Sequence, residues 1–447
     1  MNKLIIITFV SIIFFASCSK KLDIQPTQSV DEEFVFTSDA NIKVALNGAY
    51  DVVSGGVLLG GDIQMYSELL GAGGEISWVG TYNEPDDIFN KSILVNNGFV
   101  TGTYTEAYRA INICNNILAA IDIVDPNDRD HVKGQALFLR GLIYFELVEL
   151  YAQPYSAGNT ASNPGLQLIT TPTKNGEITD ANRVARSSVE QTYQQIIKDL
   201  TDAKSLMDDD YGVYAGNFTA AAVLSRVYLQ MADYNKAAAE ASYVIENSGA
   251  FLEPEYSKAF NNTAPSSEDI FVLPITAQDG TNDMWLFWSV PDYGARDGDI
   301  YVEQAHINLY APSDTRRALF YLYDGEFRSG KWRYQYRYLP LIRLSEMYLT
   351  RAEANFRMGT SVGDTPDNDL NNVIRFRAGL PSVPVTLANI LMERRLELAD
   401  EGQRIQDIKR LKLSVDGFAY NDNKLVFPIP EREINAGEGV LTQNPGY

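Results

Sequence analysis

Two stretches of the chain combine aromatic rings with hydrogen-bonding side chains. Trp78, Tyr82 and Asn83 fall in one, and Trp285, Trp288, Tyr293 and Arg296 in the other. Sugars expose apolar C–H faces that stack on indole and phenol rings, while their hydroxyls need amide, carboxylate or guanidinium partners. Such a mixture is therefore the composition of a non-covalent saccharide platform. The competing account of each tryptophan is a plug over a scaffold. Residues for bond-breaking chemistry are absent or differently employed. The two histidines, His131 and His306, are far apart, and neither has a second ligand at metal spacing. No G-x-S-x-G occurs. Glu393, Glu397 and Glu401 recur at i, i+4 and i+8, but Arg394, Arg395 and Arg404 interleave with them, so ion pairing along or between helices is the expectation. Gly71-Ala72-Gly73-Gly74 lacks the strand, helix and Lys-Ser/Thr of a phosphate loop. Residues 292–299 hold three acids and two glycines, but not in EF-hand order. No catalytic residue, metal or cofactor is expected.

Loops of this kind need a rigid support, and the helical periodicity supplies one. Residues 217–247 read as two short helices around Asp233-Tyr234-Asn235, with Leu224, Ser225 and Tyr228 on one face and Ala237, Ala241 and Val244 on the next. That is tetratricopeptide spacing, in which small residues let paired helices approach closely. The small-x-x-aromatic face recurs at Gly141/Tyr144 and Ser345/Tyr348. Pairing 42–53 with 104–121, 128–151 with a helix starting at Ser188, and 340–359 with 369–378 gives, with 217–247, four helical hairpins, which must stack because one alone cannot bury its apolar face. A further helix is predicted over 387–401, and 424–430 as a strand or extended run. No helical period survives over 60–98 or 249–339. The first reads as a long loop, and the second carries three of the four tryptophans. Residues 153–186 form a Pro-, Asn- and Thr-rich insertion.

The 447 residues carry 58 acidic and 37 basic side chains, a formal net charge of −21. This balance opposes nucleic-acid backbones and anionic headgroups. Met1-Asn2-Lys3 followed by a short apolar run reads as an export signal over 1–17, too short to span a bilayer. Residues 18–31 read as an extended tether and 32–447 as one domain. With Cys18 taken by lipid, as argued next, Cys114 has no disulfide partner and reads as a buried thiol on a helix.

Phe15-Ala16-Ser17-Cys18 resembles the bacterial lipobox, with Phe15 in the place usually held by Leu or Val. Several ordered segments then resemble the SusD/RagB-like outer-membrane lipoproteins of Bacteroidota: GQALFLRGLIYFELVELYAQPY, RSSVEQTYQQIIKDL, PLIRLSEMYLTRAEANFRMG, LNNVIRFRAGLP, ERRLELADEGQRIQDIKR, and FPIP before a terminal QNPGY. The chain departs at Ala399-Asp400, where the family has an apolar or aromatic residue. The resemblance implies a mainly all-α fold, with four tetratricopeptide-like hairpins, long irregular loops and little β structure. It also implies acylation at Cys18 and a surface position on the outer membrane. The expected role is oligosaccharide capture as lid of a TonB-dependent SusC-like transporter. A peptide-binding RagB-like lid is the alternative, and a glycoside hydrolase the distant one.

Overall fold

The computed structural model describes residues 36–173, 183–208, 212–278 and 282–447. The expected export signal, Cys18 and the tether lie outside the described residues. The first half is helical: α1 (Asp39–Ser54), α2 (Asp62–Leu70), α3 (Asn83–Phe89), α4 (Gly98–Ala119), α5 (Arg129–Tyr151), α6 (Val189–Leu206), α7 (Asn217–Gln230) and α8 (Tyr234–Asn247). The second half holds α9 (Asp283–Trp288), α10 (Gln304–Ile307), α11 (Leu344–Met358), the π-helical α12 (Asn368–Arg375), α13 (Leu387–Glu397), α14 (Arg404–Arg410) and α15 (Glu431–Ala436).

Helix α1 packs on α4, α4 on α5, α5 on α6, α6 on α7, α7 on α8, α8 on α11 and α11 on α12. This continuous row follows from faces that can be buried only on their neighbours. Local chemistry sets its punctuation. Ser38 accepts from Asn41 N at the start of α1, Ser188 and Gln191 form a reciprocal capping box on α6, and Asp233 accepts from Lys236 N to begin α8. Ala237, Ala241 and Val244 are fully buried, as is Ser225, and Tyr228 is buried too. Tyr348, at the corresponding place on α11, is only half-buried. Around the middle of α5 almost every side chain is buried, so Arg140 there needs internal partners. Arg140 donates to both Asp199 oxygens at 2.8 and 2.7 Å and to Asn115 Oδ1 at 2.8 Å. Cys114 lies fully buried in α4, and burial pushes its thiol up to about 12.

Residues 60–98 are not the long loop that their missing period predicts. Every residue of α2 is buried, so there is no polar face to create an amphipathic repeat. The predicted helix over 387–401 stops at Glu397, and Asp400 takes φ 63°, a left-handed conformation uncommon for a residue with a Cβ. The chain also forms short strands, one between α2 and α3 and the others between α8 and α11. These are β1 (Ile76–Trp78), β2 (Asp269–Pro274), β3 (Ile300–Val302), β4 (Phe320–Tyr323), β5 (Glu326–Ser329) and β6 (Tyr338–Arg343). One antiparallel sheet has the order β1-β3-β5-β4, and β2 pairs with β6 alone. Residues 426–430 are extended against the end of α5, with Phe427 N donating to Leu150 O at 2.8 Å.

Candidate functional site

The arginines and glutamates of α13 and the turn after it pair between elements. Glu397 is fully buried and meets Arg343, Arg316 and Arg377. Burial alone would raise its carboxyl, but Arg377, Arg343 and Arg316 hold it well below the usual carboxylate range. Arg343 uses all five donors: Nε and Nη2 on Glu401 at 2.8 and 2.7 Å, Nη1 on Glu268 and Glu397 at 2.7 and 3.1 Å, and Nη2 again on the Glu397 carbonyl at 3.1 Å. Glu393 pairs with Arg316 and Arg375, and Arg394 with Asp407 and Glu346. Arg395 of α13 and Arg404 of α14 converge on Glu75, and His306 Nδ1 joins them at 2.8 Å. Against the upward push of burial, these partners hold Glu75 down at about 2. The cavity among Glu68, Glu75, His306, Asp400 and Arg404 is about 30 Å³, room for water but not for a sugar ring. This network is an internal brace. It fixes the segment before β1 to α10, α13 and α14.

The aromatic face lies where that brace presents β1 and β3. Their pairing sets Trp78 opposite Ile300, and Val79 N donates to Asp299 O at 2.8 Å. A Cβ at Gly80 would come within 2.5 Å of the Trp78 ring, so only glycine allows this approach. Tyr82 and Asn83 begin α3 and are both exposed, Tyr82 by 40%. Arg296 spans the two stretches. Its guanidinium carbon sits 4.3 Å over the Tyr82 ring, Nε donates to Asp299 at 3.0 Å and Nη2 to Thr81 Oγ1 at 3.0 Å. The Tyr82 ring also packs edge-on against Phe287, which touches Trp78 and Phe99. Further along the face, Trp285 Nε1 donates to the Tyr293 carbonyl at 3.1 Å, and the Tyr293 ring meets Tyr321 and Tyr334 edge to face.

Of the seven residues singled out by composition, Tyr82, Asn83, Tyr293 and Arg296 reach the surface. The tryptophans lie beneath it: Trp78 and Trp285 are 6% exposed and Trp288 is fully buried. The indoles thus form the floor under the phenol rings, because an indole can fill a gap between short elements that no regular core covers.

Two family models match the chain, one described as "Starch-binding associating with outer membrane" over residues 20–229 and one for the SusD family over residues 275–424. The chain belongs to the SusD family. SusD-like protein P2 of Formosa agariphila is 27% identical over 99% of both chains. A crystal structure of a putative sugar-binding protein from Bacteroides vulgatus is 27% identical, covers 92% of this chain and 99% of its own, and has a TM-score of 0.82. A SusD superfamily structure from Bacteroides thetaiotaomicron, 25% identical over 91% and 100% of the two chains, also gives 0.82. The SusD family is one of carbohydrate-binding proteins associated with the outer membrane.

In this SusD-family chain the face also includes residues that composition alone missed: Tyr321, Arg333, Tyr334 and Arg337. Arg333 lies 4.5 Å from the Tyr321 ring and 5.7 Å from Tyr293, and Arg337 lies 4.8 Å over Tyr334. For all but Tyr321 the signal was present in the run Arg333-Tyr334-Gln335-Tyr336-Arg337-Tyr338, which interleaves rings with hydrogen-bonding side chains as the first two stretches do.

Proposed function

We propose that this protein captures oligosaccharide at the outer-membrane surface, without transforming it, and acts as the lid of a TonB-dependent SusC-like transporter, held in place by lipid on Cys18. The observation that carries the reading is the face built from Tyr82, Asn83, Tyr293, Arg296 and Tyr334. Its rings are held by a buried floor while their outer surfaces and polar edges are available, which is what stacking on sugar rings and orienting their hydroxyls require. The sugar-binding description of the Bacteroides vulgatus structure supports the same reading. The charged groups near α13 are occupied with one another, which supports a binding rather than a catalytic role.

The test is a titration of the purified protein with a panel of oligosaccharides and peptides, followed by product analysis of every glycan that binds. Glycan binding without turnover is expected. Binding of peptides alone, or release of shortened glycans, overturns the proposal. Co-purification with the transporter from solubilised outer membranes, lost on removing the lid's cognate barrel gene product, tests the partnership.

A further inference from the structure

In this acidic chain most arginines are neutralised internally. Arg140, Arg226, Arg316, Arg343, Arg351 and Arg410 all sit on carboxylates. Arg333 and Arg337 break the pattern. Among the described residues neither has a carboxylate within ion-pair distance, although the nearby Arg296 is bound to Asp299. None of the five side-chain donors of Arg333 reaches a described residue, and its Nε is shielded from water without a partner. Arg337 donates one bond, from Nη1 to the Tyr336 carbonyl at 2.6 Å. Both are instead positioned by rings, Arg333 by Tyr321 and Tyr293 and Arg337 by Tyr334. Stacking uses the face of a guanidinium and leaves the in-plane N–H fork unspent, in the geometry that grips a carboxylate or sulfate through two parallel bonds. A donor shielded from water, as Arg333 Nε is, is costly to leave unmatched unless something else accepts from it.

We propose that the face selects an oligosaccharide bearing carboxylate or sulfate groups, with Arg333 and Arg337 as its anion receptors. This rests on the reading of the face as an oligosaccharide site. The negative charge of the whole chain does not prevent it, since at physiological salt fields fade over about 8 Å and the receptors act at contact distance. Asp292 and Asp297 are exposed on the loop that carries Tyr293 and Arg296, so the anionic group sits on the Arg333–Arg337 side and uncharged ring faces lie over Tyr82.

The experiment titrates the purified protein with matched pairs from one panel: oligouronates against their methyl-esterified forms, and sulfated galactan oligosaccharides against desulfated ones. A charged member binding at least about tenfold more tightly than its neutral partner, with affinity falling as salt rises, is expected for charge-assisted bonds. The uronate and sulfate arms tell the two anions apart. Arg333→Gln and Arg337→Gln each reduce affinity for the charged member about tenfold and flatten the salt dependence, with a clearly smaller loss for the neutral member. Equal losses for both members, or tighter binding of neutral glycans throughout, overturn the anion assignment and leave the saccharide reading intact. No glycan binding at all overturns both. Arg337 is half-exposed, so its variant keeps the test alive should Arg333→Gln fold poorly.

Discussion

Replacing Arg343 by Leu tests whether the brace beneath the aromatic face is held by charge balance. Around Glu397 the five acids Asp314, Glu268, Glu393, Glu397 and Glu401 meet the five bases Arg316, Lys331, Arg343, Arg375 and Arg377. Arg343 is fully buried and touches three of those acids. Its removal leaves one carboxylate too many in a site that water does not reach. Such a loss costs about 3–5 kcal/mol at neutral pH, much of it the penalty of the stranded charge rather than the worth of the pairs. The sign of the pH dependence follows from Glu397. Its folded value is depressed below the ordinary 4.5, so the stability it contributes is full above 4.5 and lost as pH falls through the depressed value. In the variant that folded value rises, a proton can stand in for the missing cation, and the gap from the parent narrows on acidification below 4.5. Denaturant unfolding of both proteins between pH 7 and pH 3 measures this. A variant within about 0.5 kcal/mol of the parent at pH 7, the scatter expected of a neutral substitution, refutes the reasoning, as does a gap that widens in acid.

Tyr82→Ala should weaken glycan binding by about 1–3 kcal/mol with little change in thermal midpoint, since the ring is 40% exposed and is proposed to stack on ligand. Trp288→Ala should instead lower the midpoint, by about 3–5 kcal/mol of stability, because that indole is fully buried. If Tyr82→Ala binds normally, the cleft of about 320 Å³ between Tyr104, Tyr108, Gln167 and Arg183 becomes the place to look. Glu68, which accepts from Gly402 N and Gln403 N, is pushed up to about 8 by burial and by Asp400. Its neutral form is favoured by the fold, so wild type loses stability as pH rises from 4.5 to 8. Glu68→Gln should remove that loss, roughly 1.4 kcal/mol for each pH unit, visible as a flatter profile of midpoint against pH. Metabolic labelling with a fatty acid should mark wild type and leave Cys18→Ala unlabelled; an unlabelled wild type defeats the anchor.

The order and pairing of the scaffold helices were legible because amphipathic repeats and small-residue faces are written in the sequence. So was the pairing of Glu393, Glu397 and Glu401 with arginines, although the sequence could not say that Glu268 and Arg343 close the network from other elements. Helix α2 was invisible for the opposite reason, being buried all round. At the candidate site, aromatic composition singled out two stretches that the structure brings together, but not the depth of each ring. Whether an indole is floor or surface depends on what packs over it, here Phe287 and the loop through Tyr293, and that is settled only in three dimensions.

Ser77 on β1 donates to Glu303 beside β3 across 226 positions of chain, and the ladder between these strands joins the two halves of the face. Recombination therefore cannot exchange either half as a cassette, because a foreign β1 would meet a β3 whose register and flanking loop evolved with another partner. The alternating run from Arg333 to Tyr338 is different: all but its last residue precede β6, so single substitutions there leave the ladder untouched. Diversification toward new ligands is thus expected to proceed by point changes along that run, and grafted specificity in the laboratory would need to carry both strands together.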